Sequence, residues 1–194
     1  MSYIFTSLSR TVVCGFILLT LIVLAFGDVN FTEPTWIAFF FRWLHVLSGV
    51  MWIGLLWYFN FVQIPSMPKI SDDHKPAISK VIAPAALFWF RYSAIATVIT
   101  GLLVAWLNGY GHQALAFSDG YIGIGLGMWM AIIMAINVWF IIWPNQKRAL
   151  GIVEVDQESK LKSAKTAMMT SRVNTLLSIP MLYLMVAQQN LGLG

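Results

Sequence analysis

The chain has 194 residues, 59% of them hydrophobic and only 10% charged, with a mean hydropathy of +0.75. A soluble domain carries about 25% charged residues, so this composition excludes an ordinary water-facing domain, a disordered segment, a nucleic-acid binder and a secreted disulfide scaffold. The single Cys14 excludes an internal disulfide, a Cys-only zinc site and a covalently attached c-type haem. The expected fold class is all-α, an integral membrane bundle forming one domain over residues 1–194.

A membrane-crossing helix needs about 20 mostly apolar residues. Five stretches are read as spans: Thr11 to Phe26, Trp36 to Val62, Pro84 to Leu107, Tyr121 to Trp143 and Ser171 to Gln188. Their apolar runs are continuous and longer than the strands of about 9–11 residues that build a membrane barrel. The first span has features of a secretory leader, with Arg10 before its apolar core and Ala25-Phe26-Gly27 after it. Its apolar stretch is long for that role, and the expectation is a retained helix.

Basic residues alternate between the ends of these spans. Arg10 precedes the first, Lys69, Lys75 and Lys80 lie between the second and third, and Lys147, Arg148, Lys160, Lys162 and Lys165 lie between the fourth and fifth. The intervening loops and the C-terminal tail have none. The positive-inside rule then places the N-terminus in the cytoplasm and the C-terminus outside. The net charge of +4 reads as a topology signal and a contact with anionic lipid, not as nucleic-acid binding.

Pro65, Pro68 and Pro76 predict a loop over Pro65 to Ala83 that begins extended and turns helical after Asp72-Asp73. Asp72-Asp73-His74 reads as a helix start in preference to a metal site. Residues Asn145 to Thr170 mix charged and apolar positions, as an interfacial amphipathic helix leading into the fifth span does. In the fourth span Gly123, Gly127, Ala131 and Ala135 recur every four residues and form a groove for another helix. The surrounding run of glycines lacks the strand and polar setting of a phosphate loop. Pro180 predicts a bend in the fifth span, and Trp36, Trp106 and Trp143 stand near span ends as interfacial anchors.

No Asp or Glu falls inside a span, but Arg42, Arg91 and Arg172 do. A charge at the bilayer centre costs at least about 2.5–3.5 kcal/mol, so each needs a reason. Arg172, at the edge of its span, reads as snorkelling to lipid phosphate. For Arg42 and Arg91 snorkelling and a functional role both stand, with carbonyls, Asn side chains or an anionic ligand as partners. His45 is the only histidine inside a span and shares a helix face with Arg42, Gly49 and Trp52. That face suits a haem, with His45 on the iron, Gly49 leaving room for the porphyrin and Arg42 on a propionate. Spacing alone favours instead a histidine hydrogen-bonded to a neighbouring helix. The sixth iron position would be a Met, open, or filled by a partner. Asn60, Gln63, Asn137, Asn174 and Arg91 fall toward the cytoplasmic ends of their spans. They read as packing hydrogen bonds, or as a site for a quinone or a lipid headgroup.

The string Arg42-Trp-Leu-His45-Val-Leu-Ser-Gly49-Val-Met-Trp52-Ile-Gly54, followed by Trp57-Tyr-Phe-Asn60-Phe-Val-Gln63, resembles the membrane domain of PuuD-type urate hydroxylases. Phe88-Trp-Phe-Arg91-Tyr-Ser-Ala94-Ile-Ala-Thr97-Val-Ile-Thr100-Gly101 and Trp143-Pro-Asn-Gln-Lys147 extend the likeness, which runs from Trp36 to Lys147 and into the fifth span. Its first part is loosely similar to other small haem-linked membrane proteins, including protoporphyrinogen oxidases of the HemJ type. The resemblance implies a bacterial inner-membrane protein linked to urate oxidation, with Arg42, His45, Gly49, Trp52, Gly54, Asn60 and Arg91 as the matched positions. Longer members carry a cytochrome c domain. With no Cys-x-x-Cys-His in this sequence, a partner cytochrome or larger membrane complex is expected to take the electrons.

The functional expectation is a haem- or quinone-linked oxidoreductase component, with Arg91 and Asn60 as ligand or quinone contacts. The alternative is a non-catalytic accessory or assembly subunit.

Overall fold

The computed structural model describes residues 2–27 and 30–191, and every regular element among them is helical. The chain divides into two compact units, residues 1–37 and 38–194. In the first, α1 (Ser2–Phe5) turns into α2 (Leu8–Phe26). Arg10 closes that turn by lying 3.7 Å over the Tyr3 ring and donating to the Tyr3 carbonyl. No α2 residue is buried within the protein.

The second unit holds most of α3 (Pro34–Trp57), which runs through a π-helical segment, Tyr58–Gln63, into α4 (Ile64–Ser66) and a 3-10 turn, Met67–Lys69. The extended start expected after Gln63 is therefore corrected. Pro65 and Pro68 each sit in the first turn of a short helical segment, where proline's missing N–H costs nothing. After Asp72 and Lys75 pair at 2.6 Å, α5 (Lys75–Ala77) and a second π-helical segment, Ile78–Ile82, lead into α6 (Ala83–Leu107). A short α7 (Gly111–Leu115) precedes α8 (Ile122–Ile136), which passes through a third π-helical segment, Asn137–Ile142, into α9 (Trp143–Ala149).

The last helix, α10 (Gln157–Asn190), is capped by Asp156, whose carboxylate accepts from the Ser159 N–H at 2.8 Å. It joins the latter part of the expected interfacial segment, from Gln157, to the stretch read as a fifth span in one 34-residue helix that continues through Pro180, while residues 145–149 of that segment belong to α9.

Among the described residues, four helical runs are long and apolar enough to cross a membrane: Leu8–Phe26, Pro34–Lys69, Lys75–Leu107 and Ile122–Ala149. The stretch read as a fifth span lies within α10 and carries Arg172, Asn174 and Gln188, which dilute its apolarity.

The core of the second unit is built where α3, α6, α8 and α10 meet. Trp52, Leu56, Phe90, Met134 and Val138 are fully enclosed there, and Ala105, Ala114, Ile124 and Met128 form a smaller cluster. The small-residue groove of α8 receives α10. A methyl added at Gly127 would meet Leu184 Cβ at 3.2 Å, so the bare backbone is what lets the helices approach. Fully buried Asn174 fastens the same contact, accepting from Asn137 at 2.8 Å and donating to the Met134 carbonyl at 3.0 Å. Asn174→Ala leaves the Asn137 amide nitrogen without its acceptor, removes one of the donors to the Met134 carbonyl and opens a gap in the α8–α10 contact, and is expected to cost about 1–3 kcal/mol. Thermal unfolding in detergent checks this against Asn145→Ala, whose amide serves only its own helix turn.

Candidate functional site

A cavity of about 620 Å³ opens between α3, α6, α8 and α10, within the range of natural ligand pockets. Arg42, His45, Gly49 and Trp52 all line it, as their shared helix face requires. The facing walls come from Thr97 and Gly101 on α6, Met128 on α8, and Met181, Met185, Gln188 and Gln189 on α10. Tyr110 joins them from the turn after α6. There Gly109 takes φ +79, and the Tyr110 N–H closes on the Ala105 carbonyl at 3.0 Å.

His45 is half-buried, and its two ring nitrogens have different surroundings. Nδ1 lies 2.9 Å from the Thr97 carbonyl, with the Thr100 hydroxyl at 3.4 Å. A carbonyl oxygen only accepts, so Nδ1 carries the proton and Nε2 keeps its lone pair. Nε2 has no hydrogen-bond partner among the described residues. Gly101 makes this arrangement fit: a Cβ there would stand 2.8 Å from His45 Cε1 and 3.0 Å from Nδ1. Gly49, the glycine singled out for making room, is less constrained, since a methyl there would meet only Thr97 Cγ2, at 3.8 Å.

Two further cavity groups are buried without a hydrogen-bond partner, the donor Trp52 Nε1 and the acceptor Gln188 Oε1. Arg42 donates to Asn108 Oδ1 at 3.3 Å. Gln189, with its amide oxygen turned toward the guanidinium, accepts from Arg42 Nη2 at 3.1 Å and from Nη1 as well. Both partners are neutral, so the positive charge stays available to an anionic group at this edge.

Burial raises the Tyr110 phenol above the ordinary tyrosine range, with Arg42 offsetting part of the rise. The folded state thus favours the neutral phenol. Its contribution to stability is complete below the ordinary value of about 10 and is lost as pH rises through it toward the raised one. Tyr110→Phe is expected to flatten the alkaline fall of the thermal unfolding temperature relative to wild type, while leaving the neutral-pH value nearly unchanged.

Asn60 and Arg91 stand apart from the cavity. The Asn60 amide nitrogen donates to Ser171 Oγ at 2.7 Å and the Leu56 carbonyl at 2.9 Å, while its oxygen and that of Gln63 are buried without donors. Asn137 and Asn174 pair with each other. The five polar residues read as one cluster are therefore split among separate contacts. Among the described residues no three of His, Cys, Asp and Glu gather as a metal site. His74 instead contacts Ser71 Oγ at 2.9 Å.

The residues sequence reasoning missed are those of the facing walls: Tyr110, Gln188, Gln189 and the three methionines. Nothing in the spacing of one helix names the helix opposite.

Residues 103–190 match the family model described as urate oxidase N-terminal, which is somewhat less than half of the chain. The matched segment supplies Tyr110, Met128, Met181, Met185, Gln188 and Gln189 to the cavity and includes Trp143 to Lys147; His45 and Arg42 lie before it. No curated protein and no solved structure matched the chain.

Proposed function

We propose that this chain is a component of a membrane oxidoreductase connected with urate oxidation and that it holds a b-type haem in the cavity beside His45. The observation that carries the reading is the divided role of the imidazole: Nδ1 is engaged by Thr97 and Nε2 is free beside a space of about 620 Å³. A backbone carbonyl on Nδ1 fixes the tautomer, orients the ring and raises the basicity of the other nitrogen, as it does for histidines that bind metals.

Arg42, steadied by Asn108 and Gln189, holds a propionate at the cavity edge. Met128, Met181 and Met185 give the pocket polarizable walls and are the sixth-ligand candidates on this chain. When bound, haem supplies one-electron transfer, while the protein supplies position, electrostatics and exclusion of water.

In this account the protein resides in a bacterial inner membrane with its N-terminus cytoplasmic. Residues 171–188 of α10 make a fifth crossing, and the C-terminus lies outside. Membrane lipid surrounds it, and a partner cytochrome or larger membrane complex takes the electrons. At Gly127 the small-residue face of α8 meets Leu184 of α10, so this part of it is used within the chain and is not free to dock an accessory partner.

A quinone in the same cavity is the second reading, favoured by the unpaired Trp52 indole N–H, which a quinone carbonyl accepts. Solvent extraction of the full chain, purified in mild detergent from haem-sufficient cells, separates the two. The haem reading expects protohaem near one per chain. Quinone without haem supports the second reading, and neither cofactor in folded protein overturns both.

A further inference from the structure

We propose that Arg91, Trp143 and Lys147 form a second site, separate from the cavity, that binds a phosphate group at the end of the helix bundle. Arg91 is 8% exposed. Its Nε and Nη1 are fully buried with no hydrogen-bond partner, while Nη2, which also makes no hydrogen bond to the protein, is the nitrogen left accessible to an outside group. All five N–H donors are thus unused on a cation in a membrane-length helix, where an unpaired charge is expensive.

What holds Arg91 is the indole of Trp143: the guanidinium carbon lies 3.4 Å from the ring centroid. The Lys147 ammonium stands 5.6 Å from the same centroid. Two cations within reach of one ring repel each other, and cation–π attraction does not neutralise either. No carboxylate pairs with Arg91 or Lys147, since the ion pair found among the described residues is Lys75–Asp72. The charge deficit calls for an anion from outside the chain; the planar guanidinium fork matches phosphate oxygens, and the Lys147 ammonium near the same ring adds positive charge to this region.

The backbone is set for this role. Trp139, in the π-helical segment before α9, donates its indole N–H to the Arg91 carbonyl at 3.2 Å, tying α6 to the segment that leads into Trp143. Such segments widen a helix locally and recur at binding sites. Close in sequence to Arg91 and Trp143, Phe88, Trp89, Tyr92 and Phe140 are exposed aromatics. Exposed apolar surface on the same helical segments as the cations suits a phosphate carried on acyl chains, and the Trp143-Pro-Asn-Gln-Lys147 motif supplies one of the two cations.

Native mass spectrometry of the full chain tests the proposal with phosphatidylglycerol, phosphatidylcholine and inorganic phosphate as separate probes. Wild type is expected to retain phosphatidylglycerol about tenfold better than phosphatidylcholine, which carries the same phosphate but also a choline cation that Arg91 and Lys147 repel. Arg91→Gln is expected to abolish that preference and Lys147→Gln to reduce it, with helix content by circular dichroism as the folding control. Should Arg91→Gln fail to fold, half-exposed Lys147 decides the matter through its own variant. Stabilisation by inorganic phosphate alone, lost in the same variants, keeps the phosphate site but assigns it a soluble source. A lipid preference unchanged in both variants overturns it.

Discussion

Gly101→Val is expected to lower haem occupancy of the purified protein at least about tenfold while leaving the helices intact. The added branch enters space occupied by the His45 ring, where even a single methyl would stand 2.8 Å from Cε1. The imidazole must then rotate or move outward, which breaks its contact with Thr97 and swings Nε2 away from the cavity. Overpacking of this kind costs about 1–3 kcal/mol, and each 1.4 kcal/mol is tenfold in an equilibrium. Gly15→Val is the matched control. Gly15 is on α2 and not in the cavity wall, and an added Cβ there meets nothing within 4 Å, so occupancy should be unchanged. Haem per chain, measured by absorbance against protein mass, reads both.

The largest loss of stability is expected from Gly125→Ala. An added Cβ would overlap the carbonyl oxygen of Ala114 and stand 3.1 Å from the Phe117 ring. A backbone oxygen cannot rotate aside, so α7 and α8 must separate. Phe117 is already held at φ +56, a left-handed conformation that a phenylalanine seldom adopts, which leaves the α7–α8 turn little freedom to adjust. The expected cost is about 3 kcal/mol or more, seen as a large drop in thermal unfolding temperature in detergent. Gly15→Ala in α2, where nothing lies within 4 Å, should be neutral or slightly stabilising.

These two glycines mark what the sequence made legible and what it concealed. Periodicity along one helix is intrinsic to the chain, so Arg42, His45, Gly49 and Trp52 were legible as one face and do line one cavity. The four-residue repeat on α8 likewise announced a helix-packing groove. Which helix fills a groove, and which glycine is tightest, depends on partners distant in sequence. Gly125 lies outside the repeat and Gly101 is on another helix from His45, yet both are under more steric constraint than Gly49. The helical passage through Pro65 and Pro68 was hidden for a different reason, because proline excludes a helix interior but not the first turn of a new segment. Hydropathy placed a boundary at Ser171 where the backbone has none, since α10 carries its hydrogen bonding unbroken from the charged half into the apolar half.

Of the two readings that spacing left open for His45, the contact with a neighbouring helix is present, through Nδ1 and the Thr97 carbonyl. The ligand role is our proposal, and it rests on the other nitrogen, Nε2. Arg91 does not line the cavity, and the phosphate site proposed for it stands or falls separately from the haem proposal.

The central claim is tested most directly by a reduced-minus-oxidised difference spectrum of the full-length protein, purified from haem-sufficient cells and recorded beside His45→Ala. The account predicts b-type haem bands in the wild type and their loss in the variant, with helix content by circular dichroism the same in both. Bands of equal intensity in the two proteins, or a folded and colourless wild type, would contradict it.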